Sequence, residues 1–230
     1  MLFTPDMRGP TRGLLGVVVA IGVAFTAPAS AATVERGKTP ETPTSATVTA
    51  PEVRETRANL QDAFAGEVNA RERYLVAAKA ADREGYSYVA QLFRACARAE
   101  QAHAEQHVHA IAWGGGEARA LLQRLALGGT AENLRVSVEL ETYEATQLYP
   151  AFLARARAEH NAAAVRSMNF ALAAEREHAR LLTAALETLD QHRAPGRLFV
   201  CAQCGKTVES LGFAKCPNCF ASAASFVSVK

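Results

Sequence analysis

The stretch RACARAEQAHAEQHVHA (residues 94–110) sets Glu100 and His103 in the middle of an alanine-rich run that reads as helix. The stretch NFALAAEREHARLL (residues 169–182) repeats the device with Glu175 and His178. Alanine is the strongest helix former. At about 100° per residue, the two members of each Glu-x-x-His pair lie about 60° apart on one helix face. That face is otherwise apolar: it carries Phe93, Cys96 and His107 on the first run, and Met168, Leu172 and Leu182 on the second. Carboxylates and imidazoles therefore point to where a core should be, which is costly unless their charge is compensated.

Two further helical segments supply partners. Helices are expected at about 56–83, 87–112, 131–159 and 161–190. Gly85, the run Gly114 to Gly116 and the turn Glu159-His160-Asn161 punctuate them. On the first helix Glu67 shares a face with Leu60, Phe64, Tyr74 and Leu75; on the third, Glu141 and Glu144 sit with Leu134, Val138, Leu148 and Phe152. Each half of the bundle is thus a helix pair with a carboxylate on its first member and Glu-x-x-His on its second. Residues 113–130 form a connection longer than a hairpin needs. It is expected to cross the bundle, so that helices two and three run along non-adjacent edges as in ferritin-like folds. Pro150 is expected to kink the third helix, or to cost about 3 kcal/mol in a regular one.

Five carboxylates (Glu67, Glu100, Glu141, Glu144 and Glu175) would then converge with His103 and His178. No matching set of inward Lys or Arg exists, and Arg71 is the one basic residue near that face of the first helix. A pair of metal cations is the natural counter-charge. In di-iron carboxylate bundles one Glu from each of two helices joins Glu-x-x-His from each of the others, and so oxygen-rich a donor set suits iron or manganese better than zinc or copper. A single Glu-x-x-His on such a helix is usually a solvated pair; two of them, each with an upstream inward glutamate, are much harder to dismiss. Glu105, His109 and Glu177 fall off the stripe and are expected in solvent. His107 lies one turn beyond His103 and is a minor candidate, and Cys96 reads as a small core residue.

After Pro195-Gly196 the helical pattern stops. The last thirty or so residues carry Cys201-x-x-Cys204 and Cys216-x-x-Cys219 with eleven residues between the pairs. Two such hairpins indicate a tetrahedral four-thiolate site that accepts iron or zinc; two disulfides are the rival reading for an exported chain. So small a domain needs such a staple. At the other end, Arg8 and Arg12 precede the apolar run LLGVVVAIGVAF and the small residues APASAA. That order is the pattern of a secretory signal with cleavage near Ala29-Ser30-Ala31, and the run is shorter than the roughly 20 residues of a membrane span. The organisation expected is a signal peptide at 1–31, a flexible linker at 32–55, a bundle at 56–190, a short linker at 191–198 and the four-cysteine domain at 199–230. The chain is expected to be exported, to the periplasm, with an uncleaved membrane tether as the alternative and no stable membrane insertion once the leader is cut. A net charge of +2 gives no reason to expect a nucleic-acid partner.

Taken together these residues resemble the rubrerythrin family: AFAGEVNARERY and ELETYEATQLYP are similar to its first and third ligand helices, and the two Glu-x-x-His motifs to its second and fourth. The resemblance covers roughly 58–230 and implies an all-α, ferritin-like four-helix bundle with one long crossover, followed by a small rubredoxin-like β/turn domain. It implies two Fe held by Glu67, Glu100, His103, Glu141, Glu144, Glu175 and His178, with Glu144 the mobile ligand, and one Fe (or Zn) held by Cys201, Cys204, Cys216 and Cys219. Tyr74 and Tyr149 match family tyrosines beside the cluster. The implied activity is a non-haem di-iron peroxidase that reduces hydrogen peroxide to water. An unidentified donor supplies electrons, relayed through the cysteine-bound iron and crossing between subunits of a head-to-tail homodimer. A ferroxidase, or an iron-binding protein with a structural zinc tail, is the alternative. Three features depart from the family pattern: the export signal; Phe220 where the second cysteine knuckle often has glycine, with a slightly short interval between the pairs; and Cys96, a further thiol near the expected peroxide site.

Overall fold

The computed structural model describes residues 55–123 and 128–230; the expected leader and nearly all of the expected tether lie outside the described residues. Helix α1 spans Thr56–Arg83 and α2 spans Ser87–Trp113. Between them Gly85 takes φ 78°, the left-handed conformation that ends many helices and that a side chain resists. The Tyr86 N–H then turns back to the Ala81 carbonyl at 2.9 Å. Helix α5, Ala162–Glu187, starts at Asn161, whose side chain accepts a hydrogen bond from the Ala164 N–H at 3.0 Å.

The third rod of the bundle consists of α3 (Thr130–Tyr143), a π segment (Glu144–Leu148) and α4 (Tyr149–Ala158). The kink expected at Pro150 is replaced by that π segment. Pro150 falls in the first turn of α4, where its missing N–H is tolerated. Just ahead of it the Tyr149 N–H reaches the Glu144 carbonyl, absorbing one extra residue.

Helix α1 lies along α2, and α3 and α4 pack on α5. The described part of the crossover is pinned along α1: Gln61 Nε2 donates to the Arg119 carbonyl at 2.8 Å and Asn69 Nδ2 to that of Leu121 at 3.1 Å, while Asn69 Oδ1 accepts from the Gln123 N–H at 2.7 Å. Alanines such as Ala77, Ala81, Ala95 and Ala99 let the helices approach closely around Tyr74, Leu92 and Phe93. A second cluster, with Leu60, Tyr149, Phe152, Leu153 and Met168, fills the other end. The carboxylate positions lie on these inward faces.

The tail is a small antiparallel sheet of order β2-β1-β3, built from β1 (Leu198–Cys201), β2 (Thr207–Val208) and β3 (Phe226–Val229). Alternation along β1 sends Leu198 and Val200 to one face, and with Val229 they complete the apolar core of the bundle. Burying each of those side chains is worth about 1.5–3 kcal/mol. Gln91 locks the seat by donating to the Val229 carbonyl at 2.5 Å and accepting from the Gly196 N–H at 3.0 Å. The tail thus forms one compact unit with the helices. Among the described residues no helix is long and apolar enough to cross a membrane.

Candidate metal centres

Helix periodicity brings six of the seven sequence-predicted bundle residues into two groups. Glu67, Glu100, His103 and Glu175 form one, Glu100, Glu141, Glu175 and His178 the other, and within each group the ligand atoms lie within 4.8 Å of one another. Glu100 and Glu175 belong to both, so each end has one private carboxylate and one imidazole while two carboxylates are shared. His103 Nδ1 is 2.8 Å from Glu100 Oε2 and 3.0 Å from Glu175 Oε1; His178 Nδ1 is 2.9 Å from Glu175 Oε2 and 3.5 Å from Glu141 Oε2. Glu144 sits beside them at the start of the π segment, half-buried and outside both groups.

All six gathered residues are buried, yet Glu67 Oε2, Glu100 Oε1, Glu141 Oε2 and Glu175 Oε1 have no hydrogen-bond partner. Native interiors rarely leave charged oxygens in that condition. Two cations with hard-oxygen preference would satisfy them, so the donor set fits an iron pair. The titration behaviour agrees. Burial, and then the neighbouring carboxylates, push Glu100 and Glu175 well above the usual carboxylate range. Burial also works to raise Glu67, but the His107 hydrogen bond and the nearby imidazole charges win and lower it to about 2. Burial lowers His103 to about 4, whereas His178, against its burial, is raised to about 9 by Glu141.

Two tyrosines brace the private carboxylates: the Tyr74 hydroxyl donates to Glu141 Oε1 and that of Tyr149 to Glu67 Oε1. Arg71 is not the cation of this face. It turns aside to pair with Glu72, and Arg73, stacked over Tyr74 at 5.7 Å, is the guanidinium whose charge reaches Glu144. Cys96 is fully buried core, and burial raises its thiol pKa well above normal. Glu105 and His109 are exposed as expected. Glu177, expected in solvent, is half-buried because it pairs with Arg180 at 2.7 Å and with Lys206 of the tail at 3.5 Å.

In the tail, the four cysteine sulfurs of the two knuckles converge. Cys201 Sγ lies 3.7 Å from Cys219 Sγ, and Cys204 Sγ 3.7 Å from Cys216 Sγ. No disulfide joins them, and the spacing matches the edge of a tetrahedron with metal–sulfur bonds of 2.3 Å, about 3.8 Å. The knuckles are the same turn twice: the Gly205 N–H bonds the Cys201 carbonyl and the Phe220 N–H the Cys216 carbonyl, each at 3.0 Å, with φ of 73° and 62°. Both knuckles meet the bundle: Asn218 of the second donates to the Phe170 carbonyl of α5 at 3.2 Å, while the first reaches the imidazoles. A Cβ on Gly205 would overlap His103 Nε2, and Thr207 Oγ1 is 3.2 Å from His178 Nε2. Both imidazoles therefore turn Nδ1 inward and Nε2 toward the turn that follows Cys204. The tail sits on the bundle of its own chain. Sequence reasoning missed Gly205, Thr207 and Arg73; the glycine after the first Cys-x-x-Cys was the one available hint.

The profile of the family described as Rubrerythrin matches residues 58–186. A nigerythrin from Nitratidesulfovibrio vulgaris is 34% identical over 165 residues, 70% of this chain and 80% of that protein. A rubrerythrin from Porphyromonas gingivalis is 33% identical over 180 residues, 76% of this chain and 90% of its own length. The solved structure of nigerythrin in its fully reduced, all-ferrous state superimposes with a TM-score of 0.71 at 33% identity, covering 80% of this chain and 91% of that one.

Proposed function

Because the chain belongs to the rubrerythrin family, we propose that it reduces hydrogen peroxide to water at the bundle centre, drawing electrons through the four-cysteine site of the same chain. Glu67, Glu100, His103, Glu141, Glu144, Glu175 and His178 would hold two iron ions, Cys201, Cys204, Cys216 and Cys219 one more. When bound, the iron pair supplies the two electrons that peroxide reduction consumes, and the thiolate-held iron restores them.

The residues of the chain have separate tasks. Glu100 and Glu175 span both ends of the centre and fix its length. Tyr74 and Tyr149 hold their protons on Glu141 and Glu67 and so keep those side chains aimed inward. Thr207 fixes the His178 ring through the nitrogen opposite its inward one; such outer contacts orient a ligating imidazole. The apolar ends around Tyr74 and Phe152 exclude water from everything between. Glu144, next to Arg73 and outside both groups, is free to swing in when the charge of the centre changes.

The observation that carries the reading is the seat of the first knuckle on both imidazoles. A zinc staple that merely folded the tail would have no need to touch them, and a head-to-tail dimer is not needed for electrons to cross this contact. The reading includes export by the segment at 1–31. The test is stopped-flow mixing of the purified, iron-loaded, reduced protein with peroxide. Rapid oxidation of bundle and tail, with peroxide consumed, is expected at a rate that does not change on dilution. Fast reaction with oxygen and sluggish reaction with peroxide would favour the ferroxidase reading, and a colourless tail would remove the relay.

A further inference from the structure

The bundle centre is closed to solvent, yet each peroxide reduced to two waters takes up two protons. A file of three side chains leads to it from outside. Ser167 Oγ is 3.0 Å from His107 Nδ1, and His107 Nε2 is 3.0 Å from Tyr149 Oη and, more distantly, 3.6 Å from Glu67 Oε1; the Tyr149 hydroxyl is hydrogen-bonded to Glu67 Oε1. Ser167, His107 and Tyr149 are all buried, at 2%, 0% and 1% exposure.

With His107 taken as a neutral imidazole, counting protons gives each bond a direction. An ionised carboxylate only accepts, so Tyr149 donates to Glu67. A phenol has a single O–H, so toward His107 the tyrosine oxygen is the acceptor and Nε2 carries the imidazole proton. A neutral imidazole has one N–H, so Nδ1 is bare and accepts from the Ser167 hydroxyl. The other contact of Ser167, to the Ala164 carbonyl, is longer at 3.3 Å. Three donors in succession therefore point at Glu67. At the outer end Ser167 forms part of the wall of a 330 Å³ cavity shared with Gln106, His109, Trp113 and Arg166. His109 and Trp113 are exposed at its rim, so the space opens to solvent and is roomy enough to admit water beside the polar groups of Gln106, His109 and Arg166.

We propose that Ser167, His107 and Tyr149 form a proton relay from this cavity to Glu67, an inference that rests on the peroxide-reductase reading. In each passage the Tyr149 O–H bond breaks as its proton moves to Glu67 Oε1 and on to the departing peroxide oxygen. The His107 Nε2 proton then replaces it, the Ser167 proton moves to His107 Nδ1, and cavity water reprotonates Ser167. Every member gives one proton and takes one, so none changes its net charge. The imidazole leaves the passage as the opposite tautomer and resets by flipping.

The test has a spectroscopic and a kinetic arm. In the full chain loaded with redox-inert zinc, ¹⁵N NMR should find His107 protonated on Nε2 and bare on Nδ1; the reverse tautomer would overturn the relay. In the iron-loaded, reduced chain, His107→Ala should slow peroxide-driven oxidation by about a hundredfold, and added imidazole should restore much of the rate. An unchanged rate, or a slow rate that imidazole leaves unmoved, would reassign His107 to packing. If His107→Ala does not fold, Ser167→Ala keeps the buried ring and should still slow the reaction several-fold and raise its solvent isotope effect; wild-type values for both would overturn the proposal. Should the wild-type chain react with oxygen and not peroxide, the peroxidase reading fails by itself, and the same comparison run on oxygen decides the relay.

Discussion

Placing a methyl group on Gly205 tests the seat of the tail on the bundle. Two costs add. At φ 73° an alanine occupies the left-handed region, which costs about 1–2 kcal/mol. Its Cβ would also overlap His103 Nε2 and press on the Ala99 carbonyl at 3.0 Å, and such overpacking costs about 1–3 kcal/mol. Gly205→Ala should therefore lose about 2–5 kcal/mol, a large share of the 5–15 kcal/mol typical of a folded domain. The assay is urea unfolding of the zinc-loaded chain, with Gly212→Ala as the control. Gly212 has open space where its Cβ would go and no left-handed φ, so that change should stay within about 0.5 kcal/mol. A loss at Gly205 no larger than about 2 kcal/mol would be the backbone cost alone and would refute the contact with His103.

Phe220 occupies the equivalent left-handed position of the other knuckle, at φ 62°, and is exposed; Phe220→Gly should stabilise the chain by about 1 kcal/mol in the same denaturation assay. Glu100→Ala deletes a carboxylate shared by both groups and should lower bundle iron measured by elemental analysis, whereas unchanged iron would deny Glu100 a ligand role. Loading the bundle should release protons, because Glu100 and Glu175 are raised well above the usual carboxylate range and His178 to about 9. These groups hold protons that a cation must displace, so affinity should rise with pH and fall toward acid. Calorimetry in buffers of different ionisation enthalpy reads that release directly, and its absence would contradict the assignment.

The bundle residues were legible because helix geometry ties sequence spacing to a face: Glu-x-x-His needs nothing beyond α2 or α5 to bring its two groups together. The four cysteines were legible for a similar reason, since each knuckle is local. What escaped depended on distant parts of the chain meeting. Leu198 and Val200 read as ordinary strand residues, and nothing in their neighbourhood announces that they finish the core of the helices. His107 sat on the correct stripe, but its meaning required Ser167 and Tyr149 from two other elements. Arg71 and Arg73 are too close in sequence for periodicity to rank them. Pro150 gave a true warning of irregularity, while the remedy, a widened turn ahead of it, lies in backbone hydrogen bonding that composition does not encode.

That widened turn also sets the phase of the third rod. A π segment accommodates one residue more than a plain α-helix would over the same rise, an offset of about 100° between the parts above and below it. Glu141 above answers to Tyr74 and His178, while Tyr149 below answers to Glu67 and His107. Excising any single residue of 144–148 would bring the rod back into step and swing the phenol of Tyr149 toward a different neighbour, with Glu141 left where it is. The joint lets one continuous rod serve the two ends of the bundle centre on independent terms.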